Sequence, residues 1–243
     1  MKSYITTNAQ TVLTKIGKAA LLATALLAFT VASPVQAGKG NQDNPGILPP
    51  QSNPGGKTYS EWAAAWWQWA FAIPTPSNPL ADTTGKYAAV GQEGSVWFLA
   101  GVWGAEGPVV RECTIPAGKM LFFPIVNYVT AGYDFTGPED VAGFVDWARG
   151  ALKGALDGVT GMTCEIDGKP AQNLTAYPEQ SGPFALTFPA ENLWDFPDLA
   201  NYTDCLGLDA GYYLMLAPLK TGKHTIHFQA GTMDVTYHLT VRK

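Results

Sequence analysis

Tyr59-Ser-Glu-Trp-Ala-Ala-Ala-Trp-Trp-Gln-Trp-Ala-Phe-Ala-Ile73 constrains the fold more than any other stretch. Four of the chain's eight tryptophans fall within eight residues, at Trp62, Trp66, Trp67 and Trp69. At about 100° per residue, Tyr59, Trp62, Trp66, Trp69 and Ile73 share one helical face. Trp67 and Phe71 form a second apolar ridge, and Glu61 and Gln68 mark a narrow polar edge. Ser60 is the candidate N-cap, and Pro74 with Pro76 ends the helix. A helix apolar on most sides is buried on most sides, so strands are expected to enclose it.

The first 37 residues read as an export signal. Lys2, Lys15 and Lys18 form a basic lead, and Ala19–Val31 is an uncharged apolar run of thirteen residues, short for a bilayer span. Ser33-Pro-Val-Gln-Ala37 puts small residues at the cleavage positions, so cleavage after Ala37 is expected. Removing the signal's three lysines from 15 basic residues leaves 12 against 20 acidic ones, a net −8. Without a basic cluster, nucleic acid and anionic membranes are poor partners. No transmembrane segment is expected in the mature chain. Residues 38–57 hold many turn formers and little to bury, and read as a flexible lead.

The remainder, 58–243, reads as one mainly β unit: a β-sandwich or jelly-roll-like domain with two packed α-helices. Strands are expected at 95–102, 109–115, 119–128, 162–166, 184–188, 212–219, 223–229 and 235–242. Met120-Leu-Phe-Phe-Pro-Ile-Val126 is apolar without alternation, as a strand covered on both faces requires, and Pro124 implies a bulge. Val141, Phe144, Val145, Ala148, Leu152 and Leu156 stripe a second helix, with Thr136-Gly-Pro-Glu139 as its capping box and Gly158 as its end.

Several blocks resemble a group of exported bacterial proteins of unknown function. They are Tyr59-Ser-Glu-Trp…Trp-Trp-Gln-Trp-Ala, Gly91-Gln-Glu-Gly-Ser-Val-Trp-Phe-Leu-Ala-Gly101, Cys113-Thr-Ile-Pro-Ala-Gly-Lys119 and Leu219-Lys-Thr-Gly-Lys-His-Thr-Ile-His-Phe228. The resemblance implies export and carries no activity, cofactor or catalytic residue. In the family pattern a cysteine lies shortly before Gly91, where this chain has Tyr87-Ala-Ala-Val90. That departure leaves Cys113 without the implied partner.

Three cysteines, Cys113, Cys164 and Cys205, match no zinc or redox spacing. An oxidising compartment predicts one disulfide among three possible pairings, with Cys164–Cys205 preferred. The sharpest constellation is a histidine pair in the C-terminal hairpin. If Phe228 faces Tyr237, His227 faces His238, close enough to share a metal ion given further ligands. The blander alternative is a polar sheet face that happens to hold both. Glu191, Asp195, Asp198, Asp204 and Asp209 form an acidic run of the kind that can hold calcium, or a solvated loop. No Gly-x-Ser-x-Gly nucleophile elbow occurs. Trp103, Tyr133, Trp194 and Tyr202, all in expected loops, are candidate aromatics for a glycan or other small ligand. The expected function is therefore a secreted or periplasmic non-enzymatic binding or structural protein. The rival is an exported metal-dependent enzyme using His227 and His238.

Overall fold

A computed structural model describes residues 45–104, 107–199 and 205–243, together with the backbone of 4–7 and 13–14. The expected apolar signal run lies outside the described residues. In chain order the elements are β1 (Tyr4–Thr7), β2 (Leu13–Thr14), β3 (Ile47–Leu48), α1 (Tyr59–Ala72), β4 (Val96–Phe98), β5 (Gly107–Pro116), β6 (Met120–Gly132), α2 (Pro138–Asp157), β7 (Thr163–Ile166), β8 (Lys169–Pro170), β9 (Pro178–Gln180), β10 (Phe184–Leu186), β11 (Cys205–Leu216), β12 (Gly222–Ala230) and β13 (Met233–Arg242).

Two sheets form a sandwich. The first is built around an antiparallel β6–β11 ladder, extended by β10, β9 and β3 on β11 and by β4 and β1 on β6. The second runs β5-β13-β12-β7-β8, with β5 and β13 parallel. Successive β6 side chains divide the interior. Phe122 joins the aromatic cluster around α1, while Leu121 and Phe123 join the core shared with the second sheet and α2. The first sheet is thus covered on both faces, which explains the unbroken apolar run of β6.

Pro124 brings the expected bulge. Tyr212 pairs with Val126 and Tyr213 with Pro124, leaving Ile125 as the extra residue. Proline has no N–H to give to the ladder, so one slipped residue costs little there. The slip reverses the facing of everything beyond it. Val126 and Tyr128 now point to the second sheet, and Val129 and Ala131 toward α1.

The tryptophan segment is helical and buried, as its pattern predicts: Tyr59, Trp62, Trp66, Trp67, Trp69 and Phe71 are all interior. Its cap differs from expectation. Thr58, not Ser60, is the N-cap, with Glu61 closing a reciprocal capping box. Buried indoles call for acceptors, and loop carbonyls supply them for three of the four in α1, Trp67 being the exception. Trp62 Nε1 donates to Pro54 O at 2.8 Å, Trp66 Nε1 to Leu99 O at 3.0 Å, and Trp69 Nε1 to Val90 O at 2.9 Å. At the other end, buried Asn78 donates to Ala70 O at 2.7 Å and Ile73 O at 2.8 Å, and accepts from Leu80 N. The helix therefore gathers three separate loops.

Other expectations need correction. Residues 45–57 are tied to the domain: Ile47 is buried, β3 pairs with β11, and the Tyr59 hydroxyl donates to Leu48 O while accepting from Met215 N. One buried isoleucine and one strand pairing anchor a stretch otherwise made of turn formers. The Thr136–Glu139 capping box of α2 is absent. Asp140 instead accepts from Thr136 N at 3.0 Å and from its hydroxyl. β11 starts at Cys205, seven residues before the expected strand, because Gly207 and Gly211 mask the pattern.

The expected disulfide is not formed. Cys164 lies in the core between the sheets and Cys205 in the core around α1, so the first sheet separates them. Burial pushes all three thiols up to about 12, which makes them poor nucleophiles.

Replacing Asn78 by Ala strands two buried carbonyls and one N–H at the α1 C-terminus. The unfolding free energy should fall by about 3 kcal/mol in denaturant titrations. Changes at exposed Gln51 should stay within about 0.5 kcal/mol.

Candidate ligand-binding site

β6 is paired by β4 at Met120–Phe122 and by β1 at Val129–Gly132. Between these pairings, loops rather than a strand lie along its edge, and there a cavity of about 190 Å³ opens. Its walls come from the 101–103 loop, the segment after α2 and the β12–β13 turn, with Trp67 and Leu80 from the α1 side. Trp103, Asn127, Tyr128, Thr160 and Thr232 supply aromatic rings, hydroxyls and an amide. Among the described residues, no acidic or basic side chain lines it. The space equals the liquid volume of about six waters, enough for one small ring.

Asn127 is half-buried in a strand whose neighbours are buried, and the bulge turns it toward α1. Its Nδ2 donates to the Tyr213 hydroxyl at 3.0 Å, and that hydroxyl donates to Asp209 Oδ2 at 2.5 Å. Tyr213 is fully buried and stacks on Phe122, ring centroids 5.2 Å apart. Asp209 is 1% exposed; its backbone N–H donates to Ser181 Oγ at 2.9 Å and its carbonyl accepts from Ser181 N at 3.1 Å. Gly211 makes this approach possible. A Cβ there would sit 2.7 Å from Asn127 Cβ and 2.8 Å from the Tyr213 ring.

The buried acid is electrostatically unusual. Burial pushes Asp209 up to about 6, against the hydrogen bonds from Tyr213 and Ser181 that favour its anion. Glu179, from β9, is also pushed up to about 6, first by burial and then by the charge of Asp209. Tyr213 is held well above the usual phenol range by burial and by the same carboxylate. No cation contributes to the Asp209 shift.

Of the expected ligand aromatics, Trp103 lines this cavity. Tyr133 is buried in the α1 cluster, and Trp194 packs on Phe71 and Phe188 at ring distances of 4.7 and 5.2 Å. Tyr202 lies outside the described residues. The three described rings therefore serve different places.

The histidine register is corrected by two residues. Phe228 pairs with Val235, so His227 faces Thr236 and His238 faces Thr225. The turn decides it: Ala230 pairs with Met233 around Gly231-Thr232, and Gly231 at φ +58° takes the first turn position. The two imidazoles are diagonal neighbours with separate partners. His227 Nε2 meets Asp234 Oδ1 at 2.9 Å, and His238 Nδ1 meets Thr225 Oγ1 at 3.3 Å. Among the described residues, no group of three His, Cys, Asp or Glu is placed to hold a metal. Nor does the acidic run gather as a calcium loop would require. Asp209 is inside β11, Asn192 Oδ1 organises the loop through Trp194 N and Phe196 N, and Asp204 lies outside the described residues.

Asn127 and Tyr213 were not singled out from the sequence, and Asp209 was read only as part of an acidic loop, whereas it lies inside β11. The available signal was Asp209 itself, the one charged residue in the twelve of β11.

Asp209 and Glu179 both have folded values above the ordinary carboxylate range, so they stabilise the fold below about pH 4 and that contribution is lost as pH rises through 6. Wild-type stability from denaturant melts should therefore decline between pH 4.5 and 7.5. Asp209→Asn should flatten that decline by about 2 kcal/mol.

Comparison of the sequence with protein-family models and with curated proteins finds no match to either.

Proposed function

We propose that the chain is an exported, non-enzymatic binding protein that takes a glycan unit or another small uncharged ligand in the β6-edge cavity. The observation that carries this reading is the lining. An open cavity walled by Trp103, a strand-borne amide and two threonine hydroxyls, with no charged side chain among the described residues, suits a molecule with C–H faces and hydroxyl groups. Such ligands are held by ring packing plus a few placed polar groups.

Export is read from the Lys2–Ala37 segment, and its removal would take β1 and β2 with it. Among the described residues no helix is long and apolar enough to cross a membrane. The metal-enzyme reading is weaker, because among the described residues no group of three His, Cys, Asp or Glu is placed to hold a metal, and His227 is engaged by Asp234 instead.

Thermal-shift and tryptophan-fluorescence screens of neutral mono- and oligosaccharides against the purified protein test the reading. A neutral sugar should bind, and Trp103→Ala should weaken it at least tenfold with Tm nearly unchanged. Binding only of charged compounds, or sugar binding indifferent to Trp103, would overturn it. Intact mass of protein recovered from outside the cytoplasm should correspond to a chain beginning at Gly38.

A further inference from the structure

We infer that the protonation state of Asp209 sets whether Asn127 shows the cavity a carbonyl oxygen or an amide N–H. The site would then prefer a ligand hydrogen-bond donor at neutral pH and an acceptor in mild acid. This rests on the proposed ligand-binding role of the cavity, and it adds the residue that selects the ligand's polarity.

The argument follows the protons. With Asp209 ionised, its carboxylate can only accept, so the Tyr213 hydroxyl donates to Oδ2, as observed at 2.5 Å. The Tyr213 oxygen is then an acceptor and holds Asn127 by Nδ2 at 3.0 Å. That leaves Asn127 Oδ1 as the end directed away from Tyr213, on a residue that lines the cavity.

Protonation reverses each step. Asp209 Oδ1 is buried with no hydrogen bond formed, whereas Oδ2 already faces the Tyr213 oxygen at 2.5 Å, so the proton is better placed on Oδ2. Placed on Oδ2, it is donated to the Tyr213 oxygen. The Tyr213 hydrogen must then find another acceptor. From α1 the Trp67 indole N–H lies near enough to the pair to favour the Asp209 anion, and as a donor it cannot take this proton. Asn127 Oδ1 can, by an amide flip that turns Nδ2 to the cavity. The flip exchanges atoms of nearly equal size, so packing does not oppose it.

The groups facing Asp209 make the proton uptake accessible. Glu179 from β9 opposes its ionisation, Tyr213 and Ser181 favour it, and neither β6, β10 nor α1 brings a cation to it. The midpoint therefore falls near pH 6, where a mildly acidic exterior and a neutral one differ.

Side-chain amide NMR of the ¹⁵N-labelled protein tests this without any ligand. The Asn127 NH₂ signals, assigned by their loss in Asn127→Asp, should change between pH 4.5 and 8 with a midpoint near 6. The transition should vanish in Asp209→Asn and in Tyr213→Phe, and persist in Glu179→Gln at a lower midpoint. Flat Asn127 signals in the wild type would overturn the inference, as would a transition surviving in Asp209→Asn. Should one of the two core variants fail to fold, the other decides. A transition present as described while no sugar binds at either pH would sink the proposed function and leave the switch standing.

Discussion

The antiparallel ladder between β6 and β11 is the constraint on which the rest of the protein depends. Both strands are enclosed on both faces, so every backbone N–H and C=O in them must be satisfied within the sheet. That requirement leaves few places for irregularity. The one it admits lies at Pro124, where the missing N–H makes a regular pair impossible anyway. Because side chains alternate along a strand, one extra residue exchanges the two faces beyond it. Asn127 reaches the α1 side, and hence Tyr213 and the cavity, only through that exchange. A single imino acid thus positions the amide on which the candidate site turns.

The helix α1 closes the outer face by a different principle. Large indoles bury about 150–250 Å² each, which favours enclosure strongly, but each brings an N–H that must be paired. Here Trp62, Trp66 and Trp69 use loop carbonyls at Pro54, Leu99 and Val90. The same bonds that satisfy the helix fix the path of the chain between β3 and α1, before β4 and after it. Arg111 plays the matching part on the second sheet. Buried beneath the loops, it donates from Nε to Asp82 O and from Nη1 to Ala100 O and the Tyr237 hydroxyl. Loops anchored from both layers can wall a cavity without forming strands of their own.

Within this interior, Asp209 stands out as a buried carboxylate. Its carboxylate acts on Glu179, a neighbour of the same sign, and takes one short hydrogen bond from Tyr213. Burying an acid in this way costs stability at neutral pH, and an apolar residue would avoid the cost. Its retention in the middle of an otherwise apolar strand is the physical reason to connect it with the cavity rather than with the fold.

Much of the architecture was legible from residue pattern alone. The helical burial of the tryptophans, the mainly β sandwich with two helices, the doubly covered β6 and the Pro124 bulge follow from periodicity and from proline's missing donor, which are local properties. The hairpin register was misjudged because two registers give the same alternation, and only the Gly231 turn separates them. The preferred Cys164–Cys205 bridge failed because sequence proximity says nothing about which side of a sheet a thiol occupies. The site residues were hidden for the same reason. Asn127 and Tyr213 are unremarkable in sequence, Asp209 reads there as one of a run of acids, and the three meet only when two distant strands align. The chain by itself thus determined which segments must be buried and in what form. The tertiary structure decided which faces meet and which polar groups share a bond, because those depend on register and on a one-residue slip that no local pattern records.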